Sequence, residues 1–144
     1  MSDWLLNFVK EREGFRSEAY LDAVGVPTIG WGSTRGVKLG DTITREGAEE
    51  LLKHELSIFK RYVEKFSVKH GYNWTGYQVS AMTSFSFNLG RGSIKQVTKN
   101  GTRTNEQIAQ KMLLYYNAGG RKLRGLELRR IEESRHFQSG DIDY

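Results

Sequence analysis

The chain has no cysteine, one proline (Pro27) and only three histidines, His54, His70 and His136. The absence of thiols excludes thiol catalysis, thiolate metal sites and iron–sulfur clusters, and leaves the chain indifferent to redox compartment. The histidines are far apart and form no HExxH-type pair. A zinc hydrolase is therefore not expected, and neither a metal nor a cofactor is predicted. No stretch approaches the roughly 18 apolar residues needed to span a bilayer. The start, Met1-Ser2-Asp3-Trp4, has no basic region and no long apolar run, so a secretory leader is not expected. There is no repeat, no low-complexity run and no Pro/Ser linker.

What remains is 144 residues, 38% hydrophobic and 27% charged, the profile of one globular domain. A chain of this size hides roughly 68–70% of its unfolded surface and needs no covalent staple. The net charge of +5 predicts attraction to a polyanion: nucleic acid, an anionic membrane or a charged cell wall. Its densest cluster is Arg121, Lys122, Arg124, Arg129, Arg130 and Arg135, diluted by Glu127, Glu132 and Glu133. Its simplest reading is a solvated helix face of mixed charge. No nucleotide-cradling glycine loop and no recognition-helix signature accompany it, so nucleic acid is not the expected partner.

Glycine is clustered. Gly25, Gly30, Gly32, Gly36 and Gly40 punctuate residues 23–40, which read as turns and short strands. The flanking chain reads as helix. Residues 3–12 form the first, with Leu5, Phe8 and Val9 on one face and Gly14 as its stop. A β-hairpin follows over 19–34, with arms Ala19–Asp22 and Val26–Trp31 and Val24-Gly25 at the bend. Thr44 caps a long helix reaching about residue 66, long enough to connect two lobes. Thr75 caps another, and helices follow at about 105–117 and 124–137, separated by a break at Ala118-Gly119-Gly120.

Three residues suggest chemistry. Glu13 sits at the C-terminus of the first helix, where the helix dipole disfavours a carboxylate and should raise its pKa. A general acid working near neutrality needs a raised carboxyl pKa. Asp22 closes the first hairpin arm. Thr28 lies equally far from Gly25, so a turn centred there would set it opposite Asp22. A Thr hydroxyl beside a carboxylate can orient a water. Two carboxyl groups flanking a cleft are the equipment of glycoside hydrolysis, although each residue alone reads as an ordinary helix end, turn or strand position.

The surrounding strings are more specific. Glu13-Gly14-Phe15, Ala19-Tyr20-Leu21-Asp22 and Gly25-Val26-Pro27-Thr28-Ile29-Gly30-Trp31-Gly32 resemble the catalytic region of the phage-type lysozymes, a glycoside hydrolase family. That family's pattern is Glu, eight residues, Asp or Cys, five residues, Thr. Gln78, Ala81-Met82, Ser84-Phe85 and Phe87-Asn88-Leu89-Gly90 resemble a second family stretch. Ala118-Gly119-Gly120, Gly125-Leu126, Arg129-Arg130 and Glu133 resemble a third. The three matches keep family order and cover most of the chain.

The resemblance implies a muramidase cutting the β-1,4 bond between N-acetylmuramic acid and N-acetylglucosamine in peptidoglycan. It implies a lysozyme-like fold of the α+β class, mainly α. A small N-terminal lobe would carry the hairpin, and a long helix would connect it to a larger helical C-terminal lobe. One catalytic domain would fill residues 1–144, with the cleft between its lobes. Glu13 would be the general acid and Asp22 the base for water, with Thr28 helping to place that water and inversion the expected outcome. Thr34 and Phe87 occupy positions that could touch sugar, although core packing explains Phe87 equally well. A monomer is the default expectation. The resemblance further implies an endolysin made in the host cytoplasm. It would reach the wall after a holin permeabilises the membrane.

Three features depart from the family. Ser33 stands where a His is usual after the hairpin's second glycine, which bears on stability more than on chemistry. Tyr115 stands where a Trp is usual. Residues 91–105 are shorter and more polar. A lytic transglycosylase, which needs one acid and no base, is the nearest rival. A non-catalytic wall-binding protein is the rival from another class.

Overall fold

A computed structural model describes residues 2–118 and 120–139. Gly119, the middle of the expected glycine break, lies outside them. The elements are α1 (Asp3–Glu13), β1 (Arg16–Leu21), β2 (Pro27–Gly30), α2 (Arg45–Lys69), α3 (Gly76–Leu89), α4 (Gly92–Thr98), α5 (Asn105–Met112), β3 (Asn117–Ala118), β4 (Arg121–Lys122) and α6 (Arg124–Gln138). The architecture is α+β and mainly helical. The chain divides into two compact units, Asp3–Ser57 and Ile58 onward, with Ser2 joining the second. No helix among the described residues is long and apolar enough to cross a membrane.

In the first unit, α1 buries Leu5, Phe8 and Val9 at helical spacing. Gly14 stops the helix in the left-handed conformation, φ 69°, and its N–H bonds the Lys10 carbonyl at 2.9 Å. That stop makes Glu13 the last helical residue. β1 and β2 pair antiparallel with Tyr20 opposite Thr28 and Leu21 opposite Pro27. The first arm therefore starts three residues earlier than expected and ends at Leu21. The Asp22 N–H bonds the Val26 carbonyl at 3.0 Å, so the turn centres on Val24 and not on Gly25.

Residues 41–43 run beside β1, with Ala19 N–H to Asp41 O and Ile43 N–H to Ser17 O both at 2.9 Å. The buried side chains here include Ile29, Trp31, Ala48, Leu52 and Leu56. The Trp31 ring lies 4.8 Å from Phe15, with the Lys10 ammonium 4.6 Å and the Arg45 guanidinium 5.5 Å from its centre. Lys10 also pairs with Glu49 of α2. Thr44 accepts the Gly47 N–H at 3.0 Å and caps α2, whose 25 residues span about 37 Å.

In the second unit, Thr75 and Gln78 form a capping box at the start of α3. α3 packs on α6 and α4, and α5 packs on α6. The core gathers Val63, Phe66, Trp74, Met82, Phe85, Ile94, Ile108, Met112 and Phe137, among others. The sequence reading missed two features of this unit. α4 occupies the polar stretch after Gly90. α5 stops at Met112, five residues before the expected end, because Asn117–Ala118 pairs with Arg121–Lys122 in a second small ribbon. Of the two glycines of the expected break, Gly120 is described and lies at φ 76°.

The cationic cluster is a solvated face of mixed charge only in part: Arg121, Lys122, Arg124 and Arg135 are exposed, and two of the six cations are not. Arg129 and Arg130 are buried, and Lys122, Arg124 and Arg135 are spent on ion pairs with Glu127 and Glu132. His136 meets the Tyr77 ring edge-on at 5.0 Å, and burial lowers its pKa from 6.5 to about 4. The folded protein keeps this imidazole neutral down to about pH 4, whereas the unfolded chain protonates it from about pH 6.5. Stability contributed above that range is therefore lost as the pH falls through it. His136→Phe is expected to flatten the decline of Tm between pH 6.5 and 4 relative to the native protein. Parallel declines in the two proteins would contradict this role.

Candidate active site

Glu13 ends α1, half-buried, and its carboxyl lies against Gly32. A Cβ at Gly32 would sit 2.9 Å from Glu13 Oε2 and 3.3 Å from its Cδ, and the backbone there is left-handed, φ 84°. Only glycine meets both demands without strain. The backbone after β2 thus walls one side of the Glu13 carboxyl. For the muramidase that the sequence resemblance implies, Gly32→Ala is expected to push that carboxyl aside and lower the lytic rate at least about tenfold. Turbidity clearing by protein of native helical content checks this; an unchanged rate would show that the wall does not hold Glu13.

Asp22 follows β1 and is rigidly held. Its Oδ1 accepts the N–H groups of Val24 and Val26, both at 2.9 Å. Its Oδ2 has no protein partner among the described residues. One oxygen therefore fixes the carboxylate, and the other is left to accept from a water or a sugar hydroxyl. Thr28 is 4% exposed and donates its hydroxyl proton to the Val26 carbonyl at 2.9 Å. With that proton committed, Thr28 Oγ1 can only accept.

The expected pairing of Asp22 with Thr28 needs correction. Thr28 faces Tyr20, and Asp22 continues the register opposite Val26. The turn lies one residue earlier than expected, which moves Asp22 two places along the ladder from Thr28. The strand ladder ends at Leu21 and Pro27, so Asp22 lies just past it in the turn, where its own carboxylate takes the Val26 N–H.

Thr34 is exposed, and its carbonyl accepts the Val37 N–H at 3.2 Å. Phe87 belongs to the second unit, half-buried, with its ring edge-on to Phe59 at 5.4 Å. The first unit thus gathers the Glu13-bearing helix end with Asp22 and Thr28 on the hairpin, while Phe87 lies in the other unit.

Two features were not anticipated. The first is the Gly32 wall. The second is Ser33, 2% exposed, whose Oγ donates to Glu55 Oε1 on α2 at 2.5 Å. Its position was marked only by the missing His, and Glu55 carries no signal in the sequence. Tyr115, the other departure, meets the Phe85 ring edge-on at 5.1 Å, and burial pushes its phenol pKa up.

Residues 10–133 match the family model described as phage lysozyme. The endolysin of Salmonella phage P22 is 33% identical over 138 residues, covering 91% of this chain and 92% of that protein. The endolysin of Bacillus phage B103 is 30% identical over 145 residues, covering 94% of this chain; the chain spans about half, 53%, of that relative. The crystal structure of the active form of the P1 phage endolysin superposes with a TM-score of 0.85. It covers 99% of this chain and 87% of that one at 24% identity, and so speaks for a lysozyme-like fold.

Proposed function

The chain belongs to the phage lysozyme family, and on that premise we propose that it is a peptidoglycan-degrading muramidase acting in phage-mediated lysis. It hydrolyses the β-1,4 bond between N-acetylmuramic acid and N-acetylglucosamine. Glu13 protonates the leaving glycosidic oxygen as the bond breaks. Asp22 takes a proton from water on the opposite face of the sugar, and the water's remaining lone pair attacks the anomeric carbon.

The observation that carries this reading is the state of Asp22. Two backbone N–H groups lock one of its oxygens, and Thr28, able only to accept, stands on the opposite arm of the same hairpin. A water giving one proton to Asp22 and one to Thr28 presents its lone pair outward. Such a water also explains why a hydroxyl is kept at so enclosed a position.

A lytic transglycosylase acts on the same bond but uses the substrate's own hydroxyl and needs no water base. The clamped Asp22 favours hydrolysis over that chemistry. The test is the product: digestion of purified peptidoglycan should leave reducing muramic acid ends, whereas 1,6-anhydro ends would establish the transglycosylase. Clearing of permeabilised Gram-negative cells separates both from a non-catalytic wall binder.

The wall is the site of action. The protein works there as a monomer, made in the host cytoplasm and released when a holin opens the membrane. Thr34 and Phe87 contact the glycan strand. The net charge of +5 favours encounter with anionic wall polymers.

A further inference from the structure

We propose that Ser33 and Glu55 are positioning residues for the proton donor, acting through Gly32. This rests on the reading of Glu13 as the general acid. The Gly32 backbone forms one wall of the Glu13 carboxyl, with the site of a Cβ 2.9 Å from Oε2. That wall holds its place only as well as its two neighbours do.

On one side is Trp31, buried against Phe15, with the cations of Lys10 and Arg45 4.6 and 5.5 Å from its ring centre. On the other is Ser33. Its backbone exchanges two hydrogen bonds with Ile29, both at 2.9 Å, which close the turn around Gly30 and Gly32. Those bonds hold the loop to its own strand. The bond from Ser33 Oγ to Glu55 Oε1 ties the loop to α2. A hydroxyl donating to a carboxylate makes a charge-assisted bond, stronger than a neutral one.

The consequence is mechanistic. A proton donor must stay within hydrogen-bond reach of the leaving oxygen, about 2.6–3.2 Å. If the tie is cut, the Gly32 wall can retreat and the carboxyl can follow it. A misplacement of about 1 Å costs up to about a hundredfold. Such a loss falls on the chemical step, because the wall makes no demand on the sugars bound farther along.

The experiment measures kcat and KM on soluble, uncross-linked glycan strands, well below each variant's Tm. Ser33→Ala and Glu55→Ala are each expected to lower kcat about ten- to a hundredfold, with KM within about twofold of native. Glu55→Gln keeps an acceptor oxygen and should retain more of the rate than Glu55→Ala. The double alanine variant should be no slower than either single one, since both cut the same bond.

A purely structural role would lower Tm and leave kcat near native. A folded Ser33→Ala or Glu55→Ala enzyme with native kcat overturns the proposal, as does a loss carried by KM or losses that multiply in the double variant. Should the alanine variants fail to fold, Glu55→Gln carries the test alone. It exchanges a charge-assisted bond for a neutral one and is expected to lose kcat several-fold; a native kcat overturns the proposal. If Glu13→Gln is inactive while Ser33→Ala is native, the positioning role fails and the acid stands. If Glu13→Gln remains active, the reading of Glu13 itself fails.

Discussion

Glu13→Gln is expected to fold normally and to lose lytic activity by at least about 10²–10⁴-fold, the range a general acid contributes. The amide has the size and shape of the carboxyl, so it fits against the Gly32 wall and leaves the packing of α1 unchanged. What it lacks is an acidic proton. The departing sugar oxygen must then leave as an alkoxide or wait for water to protonate it. Circular dichroism establishes the fold, and clearing of permeabilised cells reads the rate. A folded Gln variant that clears at a near-native rate would remove Glu13 from the mechanism.

Glu133→Ala is expected to destabilise the protein by about 3–5 kcal/mol, the cost of breaking a buried ion pair by removing one partner. Glu133 and Arg130 are both 0% exposed. Glu133 Oε2 accepts from Ser84 Oγ at 2.6 Å and from Arg129 Nε at 3.3 Å. Its Oε1 lies 2.8 Å from Arg130 Nε, close enough for an ion pair but out of line for a hydrogen bond. Among the described residues Arg130 Nε and Nη1 have no hydrogen-bond partner, and Nη2 bonds Asn88 Oδ1 at 2.8 Å. The carboxylate's charge is what compensates this guanidinium.

Burial nevertheless pushes the Glu133 carboxyl pKa up and lowers Arg130 to about 10, against the attraction between the two. Removing the carboxylate leaves Arg130 enclosed without its counter-charge. Because a domain's whole stability is about 5–15 kcal/mol, the loss should be plain in urea unfolding. A change below about 1 kcal/mol would show that solvent reaches the guanidinium.

The sequence announced some of this and concealed the rest. The place of Glu13 at a helix end was legible because a helical apolar stripe, Leu5, Phe8 and Val9, runs up to a glycine stop. Asp22 and Thr28 were legible as hairpin residues, and their spacing matched a family pattern. Their true register was not, since the choice between Val24 and Gly25 as turn centre rests on two side-chain bonds from backbone N–H groups to Asp22. The Ser33–Glu55 tie joins residues 22 apart in elements whose docking no local pattern encodes. Arg129 and Arg130 read as solvated because charge normally is; only the packing of α3 on α6 explains their burial. The end of α5 was overestimated because Leu113, Leu114 and Tyr115 prolong an apolar run, and periodicity does not announce a two-residue ribbon.

The central claim is that Asp22 activates water rather than attacking the sugar itself. A nucleophilic Asp22 would form a glycosyl-enzyme and retain the anomeric configuration; a base would invert it. Thr28 favours inversion, because a hydroxyl that can only accept is suited to holding a water beside Asp22. The decisive measurement is proton NMR of the reducing end released from glycan strands, taken before mutarotation. The α-anomer should appear first from the β-linked chain. A β-anomer as the initial product would contradict the water-activating role of Asp22.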